Sequence, residues 1–267
     1  MEISRIDDPL DPRVSAFRDI RERDLTGRQG LFVAEGEVVL RVLASPHALC
    51  RPRSVLLAEN RVAGLAEVLE SLPDDVPVHV AGQGVLDSVA GFHLHRGILA
   101  LGEKPPAQPL EALLAAMGDD AVVVLACGIG NHDNMGGIFR NAAAFGAGAV
   151  LLDAQCCDPF YRKAIRVSVG AVLRTPMATG LEAMAAVSGL KAAGFRGLAM
   201  TPSAGVTLDQ APRGGRVAIV LGAEGPGLPD SLIAACEPVG IRMSGGFDSL
   251  NVATAGAIAL HHFARGA

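Results

Sequence analysis

A chain of 267 residues with 50% hydrophobic and only 19% charged side chains can bury one large core or two modest ones, which excludes a disordered polypeptide. The net charge of −5 excludes a globally basic nucleic-acid binder, so any phosphate binding has to come from local clusters. No apolar run reaches the roughly 20 residues of a membrane span, and MEISRIDDPLDPR carries acids and prolines where a signal peptide needs an apolar stretch; the expectation is a cytoplasmic protein with no membrane partner.

In chain order, Arg13, Arg18, Arg21 and Arg23 interleave with Asp19, Glu22 and Asp24, the pattern of a surface helix laced with ion pairs. FVA, SVLLA, VPVHVA and GILAL follow as short strands, with helices expected around Val38 to Leu43, Ala63 to Leu72 and Gly84 to Ala90. His93 and His95 in FHLHRG would share a face of a strand, but no further Cys, His or acid stands nearby at ligand spacing, so no metal is expected. EKPPAQP, residues 103–109, concentrates three prolines that continue neither helix nor central strand. We therefore divide the chain into 1–104, a small α/β domain, and 105–267. Neither half is basic: the first holds 12 basic and 16 acidic side chains, the second 11 and 12.

In the second half, strands near 121–126, 148–152, 195–201, 217–221 and 238–242 alternate with helices near 110–117, 135–145, 181–193, 229–235 and 249–264. That alternation predicts an α/β fold with a mostly parallel sheet covered on both faces. The five cysteines form no C-x-x-C pair, and reduced thiols used in packing are the expectation, for the vicinal Cys156 and Cys157 as for the rest. In YRKAIR, Arg162, Lys163 and Arg166 share one side of a helix, either as a phosphate-binding cluster or as a solvated face.

Three stretches of this half each end a strand in a glycine-rich turn with a few polar residues. CGIGNHDNMGGIFRNAAAFG, residues 127–146, begins G-x-G like a dinucleotide-binding turn, but Asp133 stands where the third glycine should be, against a nucleotide-dependent oxidoreductase. VLGAEGPGLPDSL holds Glu224 among Gly222, Gly225 and Gly227, and IRMSGGFDSLNVATAGAIAL leads through Ser249 and Asn251 into an alanine-rich helix. Taken singly, Asn134 reads as a turn residue, Ser249 as an N-cap and Glu224 as a solvated acid. In a parallel sheet the carboxyl ends of strands face one edge, so the three turns can converge on one site.

NMGGIFRNAAAFG, LGAEGPGL and SLNVATAGAIAL resemble the three ordered motifs of the SpoU (TrmH-type) branch of the SPOUT RNA methyltransferases, and DPFYRKAIRVSVGAVLRTP resembles the segment after the first motif. FVAEGEVVLRVL and HRGILAL resemble pieces of the small ribosomal-protein-like RNA-binding domain that precedes the catalytic domain in many members. The sequence departs from the family at Asn131 and His132, where members commonly have Asp-Pro. The resemblance implies a deep trefoil knot in 105–267, a homodimer with its active site completed across the interface, and transfer of a methyl group from S-adenosylmethionine to a ribose 2′-hydroxyl of rRNA or tRNA. It also implies that Asn134, Arg140, Glu224, Ser249 and Asn251 are catalytic, with Arg140 activating or orienting the hydroxyl, and that Thr201, Gly222, Ile241 and Leu250 contact the cofactor. Arg162, Lys163 and Arg166 are the candidate RNA contacts. With no tryptophan and one tyrosine, recognition through shape and phosphates is expected over stacking. The alternative is a catalytically inactive RNA-binding relative.

Overall fold

In the computed structural model, residues 3–18, 30–244 and 249–264 are described. Asp19, Arg21, Glu22, Arg23 and Asp24, from the expected surface helix, lie outside them. The chain forms two compact units, Met1–Pro105 with Asp158–Arg174, and Pro106–Cys157 with Thr175–Ala267. No helix among the described residues is long and apolar enough to cross a membrane.

The first unit contains β1 (Ile3–Ile6), β2 (Leu31–Glu35), α1 (Glu37–Leu43), β3 (Arg51–Ala58), α2 (Ala66–Glu70), β4 (Val78–Ala81), α3 (Gln83–Ala90) and β5 (Ile98–Glu103). Its five-stranded sheet runs β1-β4-β3-β5-β2; β4 pairs parallel with β1 and β3, and β5 pairs antiparallel with β3 and β2. Ile6, Phe17, Val33, Leu56, Leu86, Val89 and Leu99 meet in its core. The FHLHRG segment is a turn, not a strand, because the Asp87 carboxylate gathers it up: Oδ2 meets His93 Nδ1 at 2.7 Å and Oδ1 accepts from Leu94 N at 2.9 Å. That bond to His93 lowers the Asp87 pKa to about 2.

The second unit contains α4 (Leu110–Ala115), β6 (Val122–Ala126), α5 (His132–Ala144), β7 (Ala149–Asp153), β8 (Met177–Leu181), α7 (Ala183–Ala192), β9 (Arg196–Met200), β10 (Val217–Leu221), α8 (Asp230–Ala235), β11 (Glu237–Val239) and α9 (Val252–Phe263); α6 (Arg162–Val167) falls in the first. All six strands are parallel, in the order β11-β9-β10-β6-β7-β8. VAIVL in β10 is buried at every position, as a strand covered on both faces requires. The order reverses between β6 and β10, and the crevice outside their carboxyl ends is where open parallel sheets present ligand-binding loops.

The segment Asp158–Arg174, placed by the sequence with the second half, packs with the first unit through contacts that no local pattern announces. Lys104 Nζ meets Asp158 Oδ2 at 2.8 Å, the rings of Phe32 and Phe160 stand 5.3 Å apart, and Leu49 N donates to Leu173 O at 2.8 Å.

Candidate active site

The loops after β6, β10 and β11 carry the three motifs. After β6, Cys127 N donates to Leu221 O at 2.8 Å, tying the first turn to the end of β10. Gly128 adopts a φ of 68°, which favours glycine, and its N–H donates to Asp153 Oδ1 at 3.0 Å. Asp153, buried at the end of β7, thus braces the first motif loop, a role not read in the sequence because a lone acid ending an apolar strand resembles any strand terminus. Cys156 adds a second brace: Sγ accepts from Ile129 N at 3.4 Å and donates to Ala126 O at 3.3 Å. Burial pushes the Cys127 and Cys156 thiols up to about 12, which keeps both protonated and inert.

The unusual Asn131 and His132 open α5 cleanly. The Asn131 side chain caps the helix by accepting from Asp133 N at 2.7 Å, and asparagine caps as well as the aspartate it replaces. This leaves Asn134 free of capping, buried in the first turn with 6% of its surface exposed. At the other end of the chain the cap of α9 is Asn251, not Ser249; its Oδ1 accepts from Ala253 N at 3.0 Å and Thr254 N at 3.2 Å.

With that oxygen committed to the helix, the Asn251 amide is aimed away from it. Asn251 Nδ2 donates to Asn134 Oδ1 at 2.8 Å and to Glu224 Oε1 at 3.2 Å, so one side chain joins all three motifs. The helices are held in the same register by a close approach: a Cβ on Gly137 would stand 2.8 Å from the Ala253 Cβ, and Asn141 Nδ2 donates to Ala253 O at 2.9 Å.

Beside this cluster lies a cavity of about 530 Å³, within the range of small-molecule sites. Thr201, Gly222, Ile241 and Leu250 all line it, as do Glu224, Ser249 and Asn251; the apolar wall is completed by Met200, Leu221, Val239 and Met243, and the methionines are contributions the motifs did not flag. Gly222 lets the β10 turn fold back on itself: a Cβ there would stand 2.4 Å from the Gly227 carbonyl carbon and 2.5 Å from Leu228 N.

Arg140 is not part of the cluster within one chain. It is exposed on α5, six residues beyond Asn134, which is about 9 Å along the axis and about a third of a turn around it. The basic residues of α6 sit in the first unit. Arg162 is half-buried with Nη1 3.3 Å from Glu35 Oε2, Arg166 Nη1 stands 3.9 Å from the same oxygen, and Lys163 is exposed. The face expected to be phosphate-binding or solvated is thus partly committed to a buried carboxylate.

The family model described as the SpoU rRNA Methylase family matches residues 121–261. The chain is 39% identical over 275 residues to an uncharacterised tRNA/rRNA methyltransferase of Mycobacterium bovis, a match covering 99% of this chain and 93% of the relative. Among solved structures, the AdoMet-bound rRNA methyltransferase of Sinorhizobium meliloti superposes with a TM-score of 0.82 at 21% identity over 97% of each chain, a likeness of fold. An RNA 2′-O ribose methyltransferase superposes with a TM-score of 0.76 at 25% identity, again over 97% of each chain.

Proposed function

This chain belongs to the SpoU rRNA methylase family, and from that premise we propose that it transfers a methyl group from S-adenosylmethionine to a ribose 2′-hydroxyl of rRNA or tRNA. The observation that carries the reading is the Asn251 amide, which gathers Asn134 and Glu224 at the edge of a cavity lined by Thr201, Gly222, Ile241 and Leu250. The cavity fits the cofactor: its walls suit an adenine ring, and its glycine turns present backbone groups without side chains in the way. Bound there, S-adenosylmethionine supplies an electrophilic methyl group.

A ribose hydroxyl is a poor nucleophile until it is oriented. Arg140 is the group proposed to do this; a guanidinium stays protonated in nearly any setting, so it donates hydrogen bonds to the hydroxyl and to a neighbouring phosphate. Its distance along α5 from Asn134 favours delivery from a second copy of the chain, and the exposed Thr254 and Ile258 on α9 offer that copy a surface. The first unit serves as the RNA-binding domain. A trefoil knot is supported by the strand-end segment that leads to α9: Val239 O accepts from Thr201 N, Gly240 N donates to Val206 O, and Leu208 N donates to Gly240 O, so backbone from 201–208 straps both sides of it.

The reading is tested by calorimetry with S-adenosylmethionine and by mapping 2′-O-methylation in RNA from a deletion strain complemented with wild type or Arg140→Ala. The expected result is cofactor binding by both proteins and one ribose methylation restored by the wild type alone. A wild type that binds no S-adenosylmethionine, or Arg140→Ala restoring the mark fully, refutes it.

A further inference from the structure

The turn that Asp87 gathers between α3 and β5 leaves Phe92 on the surface of the first unit, 42% exposed. A lone exposed phenylalanine is unremarkable, but this ring has company. The Arg162 guanidinium lies over it, with Cζ 4.6 Å from the ring centroid. That guanidinium is tethered by Glu35, a carboxylate only 9% exposed, with Nη1 3.3 Å from Oε2, so swinging away from the ring forfeits an ion pair with a buried charge.

Two more arginines surround the pair. Arg166 follows Arg162 by one helical turn and leans on the same Glu35 oxygen at 3.9 Å. Arg96 is exposed and runs along the backbone of Gly36, the residue after Glu35; its Cδ and Nη1 lie 3.0 Å from the place a Cβ on Gly36 would occupy. Gly36, at a φ of 93°, gives Arg96 this path. Two guanidiniums on one buried carboxylate, with a third arginine along the neighbouring Gly36, leave the face positive, with an aromatic ring set in it.

A flat ring braced by a flat cation, flanked by cations, is complementary to a base attached to phosphates. A duplex hides its base faces in the stack, whereas a loop or bulge exposes them. We propose that Phe92 and Arg162 form a stacking platform for one unpaired nucleotide of the RNA, with the phosphates beside it held by Arg96 and Arg166. The proposal rests on the reading of the protein as one that acts on RNA, and it assigns the first unit a preference for single-stranded segments.

The test uses the full chain with two probes, a short single-stranded oligoadenylate and a blunt RNA duplex of the same length. Phe92→Ala is expected to weaken oligoadenylate binding about tenfold, the loss of one base stack, and to leave duplex binding within about twofold. Its dependence of affinity on salt should keep the wild-type slope, since no phosphate contact is lost, whereas Arg96→Gln and Arg166→Gln should each flatten that slope by roughly one phosphate. Phe92→Tyr, which keeps the ring, should bind as wild type. Should Phe92→Ala melt below wild type, Phe92→Leu keeps apolar volume without an aromatic face and is expected to show the same tenfold loss. Wild-type oligoadenylate affinity in Phe92→Leu, equal losses for both probes, or no binding of oligoadenylate by the wild type would overturn the platform. Calorimetry with S-adenosylmethionine on the same samples separates the two ideas: cofactor binding unaffected by Phe92→Ala is expected, and a wild type that binds oligoadenylate but not cofactor counts against the methyl-transfer reading alone.

Discussion

Replacing Gly222 by alanine adds one methyl group at the place where β10 turns into the cavity. The new Cβ would stand 2.4 Å from the Gly227 carbonyl carbon, 2.5 Å from Leu228 N and 2.7 Å from Gly227 O. Carbon contacts relax to about 3.5 Å, so the turn must retreat by about 1 Å. The obstructing atoms are backbone, in a turn closed by Gly227 N donating to Ala223 O at 3.1 Å, so no rotation of a side chain relieves the clash. Overpacking of this kind costs about 1–3 kcal/mol, and in a chain of this size each kcal/mol lowers Tm by about 2–4 °C. Gly222→Ala should therefore melt about 2–12 °C below wild type and bind S-adenosylmethionine at least tenfold more weakly, because the displaced turn carries Glu224 and lines the cavity. Gly130→Ala is the matched control: the same methyl group there meets nothing within 4 Å. Differential scanning calorimetry and titration of the cofactor decide the matter. A Gly222→Ala protein that melts with wild type, or a Gly130→Ala protein damaged as badly, would refute the steric account.

Two further outcomes follow from the same geometry. Asn251→Asp keeps the oxygen that caps α9 but exchanges the amide donor for an acceptor facing Asn134 Oδ1 and the Glu224 carboxylate; methyl transfer should slow by about 10- to 100-fold and Tm should fall, because the buried Asn134 oxygen loses its donor, and Asn251→Ala should lose about 1 kcal/mol of cap stability as well. Steady-state assays paired with thermal melts would show otherwise if Asn251→Asp turned over normally. Burial raises the thiols of Cys50, Cys127 and Cys156 from an ordinary 9.0 to about 12, so their contribution to stability is complete below pH 9 and is lost as pH rises from 9 towards 12, where the unfolded chain ionises first. Denaturant titrations at pH 8 and pH 10.5 should show the protein weaker at the higher value, and iodoacetamide at pH 8 should leave the buried Cys50 and Cys127 unlabelled until the chain is unfolded; prompt labelling of Cys127 in the native protein would contradict its burial.

Much of the parallel sheet could be read directly because its strands are apolar runs between turn residues: VVVLA, AVLLD and VAIVL have no other use than a two-sided core. The strands that escaped notice lack that signal. MATGL in β8 exposes Thr179 and Gly180, and ISRI in β1 is a four-residue edge whose alternation is too short to stand out. The three site motifs were legible as strand-to-helix turns, but the bonds that unite them span 117 residues between Asn134 and Asn251 and 27 between Glu224 and Asn251, distances over which local pattern carries no information. The same limit explains why the α6 segment reads with the second half in the sequence while it packs with the first unit: its helix is local, while its attachment through Asp158, Phe160 and Leu173 is not.

Composition alone does not weigh the stacking platform proposed for the first unit. One tyrosine and no tryptophan argue that few rings are available for stacking, yet the capacity to stack a base depends on one ring being exposed, fixed and backed by charge, not on how many rings the chain owns. Phe92 is exposed because Asp87 holds its turn, and Arg162 lies over it with its guanidinium paired to Glu35 at the end of β2. Glu35, the buried acid that ends LFVAE, is thus inconspicuous in the sequence, yet it pairs with the cation that lies over the exposed ring. Charge that must be neutralised below the surface sets the position of charge above it, and that coupling becomes visible only once the strand, the turn and the helix are brought together.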